Sequence, residues 1–177
     1  MRTLVSLFLL CLITFSATAQ KFGYIDSDYI LKKLPEYAKA EKELNMLSAK
    51  WQAEIEKMKK EYEKMQADYK AEEILLTEDM KKERLDTLAG REKAIKEYQK
   101  KIFGFEGMIF LKRQELMKPV QDKVFEAVEK VAKAKSLQII FDKSGDLVMV
   151  YTNPIHDYTD YVLEELGLGD PNDTVEK

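Results

Sequence analysis

The chain is poor in the residues that punctuate or staple a fold. Its 177 residues include one cysteine, one histidine, one tryptophan, four prolines and seven glycines. The cysteine, Cys11, lies inside an N-terminal apolar run, so the remainder has no disulfide and no thiolate metal site. His156 is the only imidazole and follows Pro154-Ile155 with no nucleophile or metal partner evident in sequence. No glycine-rich phosphate loop occurs, and the carboxylates recur at helix-surface spacing rather than as a ligand cluster. We therefore expect no enzyme, no cofactor and no metal. Charge of one sign is also lacking, with 29 basic residues against 32 acidic. Nothing resembles a nucleic-acid footprint, which needs a basic surplus concentrated on one face.

The long apolar run is confined to the start. Arg2 precedes an almost wholly apolar stretch from Leu4 to Phe15, and Ala17-Thr18-Ala19 supplies a small-x-small cleavage pattern. Residues 1–19 thus read as an export leader removed near Ala19, too short to remain as a spanning helix. Leu10 stands before Cys11 where a lipoprotein signal needs a small residue. Arg2 is the leader's only charge, so its removal leaves the mature chain slightly more acidic. From Asp142 onward there are nine carboxylates, opposed only by Lys143 and Lys177. An exported chain without disulfides depends on packing or assembly for its stability.

What is present is helical periodicity. Leu88, Ile95, Ile102, Ile109 and Leu116 fall seven residues apart, and a matching stripe runs through Leu44, Leu47, Trp51, Ile55, Met58, Tyr62, Met65 and Tyr69. Two such stripes on successive long helices predict an antiparallel coiled-coil hairpin. The first arm, from Glu36 to about Ile74, would be ~58 Å long at ~1.5 Å per residue. Its Leu47-Trp51-Ile55 steps of four form a stutter that relaxes the supercoil. The tip lies near residues 75–78, with Thr77 as N-cap and Glu78 and Asp79 favouring the new helix start. The return arm runs to about Met117, with Gly104 and Gly107 interrupting it and Gly90 nearer the tip. These glycines mark either a flexible point or clearance for bulky residues opposite, Gly90 facing Tyr62 and Gly104 facing the Trp51 turn. Glu56/Lys60, Glu92/Lys96 and Glu97/Lys101 are expected i, i+4 pairs on the outer faces.

The remainder forms a small body. Phe22–Asp26 reads as a strand, Tyr29–Leu34 as a short helix capped from Asp26, Ser27 or Asp28, and Pro35 as the first residue of the long helix. Pro119 restarts a helix whose apolar face runs through Val120, Val124, Phe125, Val128 and Val131. Leu137–Phe141 and Leu147–Tyr151 read as two strands of a hairpin around the Asp142–Asp146 turn, both with two covered faces. A last helix, capped from Asp157 or Thr159, passes through Val162, Leu163 and Leu166 and closes at Gly167. The expected fold is mainly α with a small three-stranded β body. Residues 20–35 and 118–169 make the body, 36–117 the arm, and 170–177 a frayed tail.

In order, these parts are a leader, a Gly-Tyr-Ile-Asp strand, Leu34-Pro35-Glu36-Tyr37, a long hairpin, Leu-Gln-Ile-Ile-Phe-Asp, and Asp157-Tyr158-Thr159-Asp160-Tyr161-Val162 before the terminal helix. That order resembles the Skp/OmpH family of periplasmic chaperones over nearly the whole mature chain. The resemblance implies a jellyfish-like homotrimer in the periplasm. Pooled strands would form its body, and three arms would enclose unfolded outer-membrane proteins without ATP. The best-known members are strongly basic, whereas this chain is acidic with near-neutral arms, so a lipopolysaccharide site is not carried over and membrane contact stays open. A non-enzymatic spacer or adaptor of the cell envelope is the alternative.

Candidate residues follow from this layout. Trp51, Tyr62, Leu88, Ile95, Ile102, Ile109 and Leu116 are expected in the arm seam. Phe22, Tyr24, Ile139, Phe141, Val148 and Val150 are candidates for the oligomer body. Phe103, Phe110 and Met117 repeat one position off the seam, ~100° around the helix. With Met46 and the tip residues Leu75 and Leu76 they are candidates for client contact, and packing between subunits is the competing reading for the off-seam line.

Overall fold

The computed structural model describes residues 21–146 and 148–169, so the expected leader, Cys11, Leu147 and the tail lie outside the described residues. The chain divides into two compact units, one of residues up to Leu31 and from Val124 onward, the other Lys32–Lys123.

In the first unit, β1 (Phe22–Ile25) and β2 (Ile139–Asp142) pair in parallel, with Phe22 opposite Ile139 and Ile25 opposite Asp142. A parallel pair cannot be closed by a tight turn and needs a long crossover. Here everything between residues 26 and 138 is that crossover. On its other edge β1 meets the segment before the last helix, where the Tyr158 amide donates to the Tyr24 carbonyl at 2.9 Å. Gly23 permits this approach: a Cβ there would lie 2.3 Å from Cδ2 of the Tyr158 ring. Helix α1 (Ser27–Lys33) follows β1, its amide of Tyr29 donating to Asp26 Oδ1 at 2.9 Å. The last helix, α5 (Thr159–Glu165), ends at Gly167, whose φ of 74° is the left-handed conformation that closes many helices. Asp157 Oδ1 accepts from both the amide and the hydroxyl of Thr159, and Thr159 Oγ1 in turn accepts from the Asp26 amide. Tyr24, Ile25, Ile30, Val124, Ala127, Val131, Leu137, Val162 and Leu163 are the buried apolar residues of this unit.

Two strand expectations are corrected. Residues 148–151 form no strand, and Val148 and Val150 are 85% and 97% exposed. The Asp142–Asp146 turn does not close a hairpin because its side chains face α1 instead. Asp142 accepts from the amide and hydroxyl of Ser27 at 3.1 and 2.6 Å, and from the amide and hydroxyl of Ser144 at 3.1 and 2.7 Å. Nor is β2 covered on both faces, since Ile139 and Phe141 are exposed in the single chain.

The second unit holds α2 (Pro35–Glu72), a 3-10 turn (Glu73–Leu75) and α3 (Glu78–Phe103) as an antiparallel hairpin. Pro35 opens α2 as expected, and Thr77 caps α3 by accepting from the Met80 amide at 3.4 Å. Leu44, Ile55, Leu88, Ile95 and Ile102 are buried in the seam, with Trp51 and Tyr62 half-buried beside them. The Tyr98 hydroxyl donates to Glu54 at 2.6 Å across the hairpin and pins the register. That bond also moves loss of the phenol proton to higher pH. Glu56/Lys60 and Glu92/Lys96 pair as expected, whereas Glu97 lies 3.9 Å from Lys93 rather than pairing with Lys101.

The return arm is not one helix. It breaks after Phe103 and resumes as α4 (Met108–Lys135), which runs through Pro119 without restarting. Leu88, Ile95 and Ile102 therefore lie on α3, and Ile109 and Leu116, both half-buried, on α4. At the break the Gly104 amide donates to Lys100 O at 2.8 Å and the Gly107 amide to Gly104 O at 2.9 Å. A Cβ on Gly104 would sit 2.3 Å from Lys100 O, and one on Gly107 2.5 Å from Ile102 O. These glycines make room for their own backbone, not for Trp51 opposite. Gly90 has nothing within 4 Å of a built Cβ, so clearance does not explain it either.

Candidate interaction surfaces

Apolar side chains left in water are the chemically informative feature of both units. In the first unit the sheet turns Tyr24 inward, to 7% exposure, which removes it from the candidate contact surface. Phe22, Ile139, Phe141, Val148 and Val150 are exposed, joined by Tyr151 and Ile155. Phe22, Phe141, Met149, Tyr151 and His156 border an open cavity of about 460 Å³. The His156 ring lies against Phe22 with centroids 4.7 Å apart. Contiguous exposed apolar area of this kind marks a contact surface more often than an isolated exposed leucine does.

The adjoining Asp142 network is polar and internally bonded. Burial alone would raise the Asp142 carboxyl, but the bonds from Ser27 and Ser144 outweigh it and hold the group below the ordinary aspartate range. It fixes the β2 end to α1. Among the described residues, no cluster of three or more His, Cys, Asp or Glu is placed to hold a metal. No described helix is long and apolar enough to cross a membrane.

In the second unit the expected client-contact residues divide. Met46, Leu75 and Phe110 are exposed, while Phe103 and Leu76 are half-buried. Met117 is buried within its own chain, so it neither lines a cavity nor waits for a neighbouring subunit. Met46 and Leu47 lie in a shallow groove bordered by the stems of Lys39, Lys42 and Lys50. Lysine stems extend such a groove as apolar surface while their charges stay in water.

Several exposed apolar residues escaped the sequence reading, and Phe125, expected on the apolar face that runs through Val120, Val124 and Val131, is 69% exposed. Ile74 at the tip is 91% exposed and Phe105 in the break is 96% exposed. Phe105 is held out by Gly104 on one side and by Glu106, at φ 52°, on the other. The signal was the Gly104-Phe105-Glu106-Gly107 run itself, which, taken as a turn rather than as a weakened helix, puts its phenylalanine in solvent.

The family model described as "Outer membrane protein (OmpH-like)" matches residues 21–166. No curated protein matches the chain in sequence. Among solved structures, a candidate OmpH-like outer membrane chaperone from Caulobacter crescentus CB15 superposes with a TM-score of 0.69 at 15% identity. That match covers 85% of this chain and 86% of the Caulobacter chain. At that identity the likeness speaks for the fold.

Proposed function

The chain belongs to the OmpH-like family of outer membrane proteins, and from that premise we propose that it is a periplasmic, ATP-independent holdase for unfolded outer-membrane proteins. The observation that carries the proposal is the placing of its apolar surface. The hairpin seam is closed within one chain, yet Met46, Ile74, Leu75, Phe105 and Phe110 stay in solvent on that unit. A purely structural spacer has no use for five such residues, whereas a binder of many unfolded sequences needs soft, adaptable apolar contacts. Methionine and phenylalanine supply them without fixed hydrogen-bond geometry. Phe103 and Leu76, half-buried beside these residues, are secondary contacts.

Assembly is the second part of the proposal. Phe22, Ile139, Phe141, Val148 and Val150 form the surface through which three copies associate. The segment 148–151 forms no strand within the described chain and is the part proposed to add to a neighbouring sheet. The leader directs export and is removed near Ala19.

A photoreactive residue placed in turn at Phe105, Leu75 and Tyr62 tests the client surface against a urea-denatured outer-membrane β-barrel. Crosslinks are expected from Phe105 and Leu75, with Tyr62 in the seam as the silent control. Crosslinks from none of the three, or only to a folded partner, would favour the adaptor reading.

A further inference from the structure

Charge along the arm is balanced in sum but sorted by face. At ~100° per residue, Lys39, Lys42, Lys50, Lys57, Lys60 and Lys64 all project from α2 within about 40° of Met46. Between Lys39 and Lys64 that face carries no carboxylate, and every residue on it is exposed. The buried seam through Leu44 and Ile55 lies on the opposite side. Lys57 and Lys60 have loose, exposed partners in Glu61 at 4.0 Å and Glu56 at 3.9 Å. Lys39, Lys42 and Lys50 are in no ion pair among the described residues. These three border the groove of about 450 Å³ that holds Leu47 and Met46, the latter 65% exposed, and Glu43 is the single carboxylate in its lining. The other exposed apolar site of the unit has the opposite rim. Ile74 and Leu75 sit between Glu72, Glu73, Glu78 and Asp79, with no cation in that stretch. Arg84 holds Glu72 at 3.3 Å and Lys81 holds Glu78 at 2.8 Å, which leaves Glu73 and Asp79 in no ion pair among the described residues.

We propose that the Met46–Leu47 groove takes those segments of an unfolded client that carry Asp or Glu beside apolar residues, with Lys39, Lys42 and Lys50 as the specificity-determining residues. The inference rests on the holdase reading and deepens it by naming the class of segment that this site selects. An apolar side chain can lie against either exposed site, because both are soft and open to water. A carboxylate next to it is attracted at the groove and repelled at the tip. The lysine stems keep the groove floor apolar while their ammonium groups stay at its rim, where a neighbouring carboxylate can meet them in water. A cationic segment gains nothing there beyond the single charge of Glu43. One exposed ion pair is weak, but three acting together amount to about a tenfold preference. Salt at ~1 M should erase that preference, since charges are then screened beyond ~3 Å.

The test uses the purified protein with a photoreactive residue at Met46 and, separately, at Leu75. The probes are two soluble peptides with the same Phe, Leu and Gly residues, one carrying Glu and the other Lys at the remaining positions. At Met46 we expect about tenfold more crosslinking to the Glu peptide. That excess should vanish in Lys39→Gln/Lys42→Gln/Lys50→Gln and persist in Lys39→Arg/Lys42→Arg/Lys50→Arg, with circular dichroism confirming that both variants fold. At Leu75 the Glu peptide should have no advantage. Equal yields from the two peptides at Met46, a preference that survives the Gln variant, or one lost in the Arg variant would overturn the charge assignment while leaving the holdase reading intact. No crosslink to either peptide at either position would overturn the client reading, and this inference with it. Binding to phosphatidylglycerol vesicles that needs the same three lysines, without any peptide preference, would overturn it in favour of a lipid surface.

Discussion

Replacing Gly90 and Gly104 by alanine adds the same methyl group to the same arm, yet the two changes should move stability in opposite directions. Gly90 lies inside α3, and a Cβ built on it meets nothing within 4 Å. Alanine there gains helix propensity and restricts the unfolded chain, which is worth about 0.5–1 kcal/mol of added stability. Gly104 is the C-cap of α3, and its built Cβ falls 2.3 Å from Lys100 O, the same carbonyl that accepts its amide at 2.8 Å. Its φ of −72° is ordinary, so the penalty is steric rather than torsional. Either the capping bond breaks or the last turn of α3 shifts, at a cost of about 1–3 kcal/mol. For a chain of this size 1 kcal/mol moves the midpoint by about 2–4 °C. Thermal and urea unfolding at one fixed protein concentration would show Gly90→Ala above the parent and Gly104→Ala below it. Fixed concentration matters because self-association raises apparent stability. If Gly104→Ala were as stabilising as Gly90→Ala, α3 and α4 would be able to join as one helix, and the structural account of the break would be wrong.

Gly23→Ala should destabilise the first unit by roughly 1–3 kcal/mol, because the new methyl collides with the Tyr158 ring. In a Tyr158→Ala background the same change should cost little, and a double-mutant cycle by urea unfolding checks the coupling. Asp142→Ala should cost roughly 1–2 kcal/mol at neutral pH, since it removes the acceptor for four bonds on a partly solvated carboxylate. The folded state holds the Asp142 proton less tightly than the unfolded chain does. Its contribution is therefore full above the ordinary aspartate value of ~3.9 and fades as pH falls through the lower folded value. Unfolding curves of parent and variant should accordingly converge in acid.

Much of the architecture was legible because it rests on periodicity. The three-four spacing from Leu44 to Tyr69 and the heptads from Leu88 to Ile102 encode the hairpin directly, and Pro35, Thr77 and Gly167 mark element ends by their own backbone chemistry. What failed rests on long-range partners. The run 147–151 has strand composition, but a strand exists only where another backbone accepts its bonds, and within one chain β2 pairs with β1 instead. Pro119 is a poor helix residue by propensity, yet the packing of Leu116, Met117 and Val120 around it carries α4 through. Ile109 and Leu116 keep the heptad count across a break that shifts the helix, so counting alone did not detect it. The exposed surfaces were partly legible: Met46, Leu75 and Phe110 lie off the apolar stripe by count, whereas Phe105 lies in a turn where helical counting has no meaning.

The central claim is that the solvent-exposed apolar residues hold unfolded outer-membrane chains. Its most direct measurement is light scattering after a urea-denatured outer-membrane β-barrel is diluted into buffer without nucleotide, at a slight molar excess of the assembled protein. The account predicts suppressed aggregation in the parent and a marked loss of suppression in Phe105→Ser/Leu75→Ser, with unfolding midpoint and assembly unchanged. Aggregation as fast with the parent protein as without it would contradict the account.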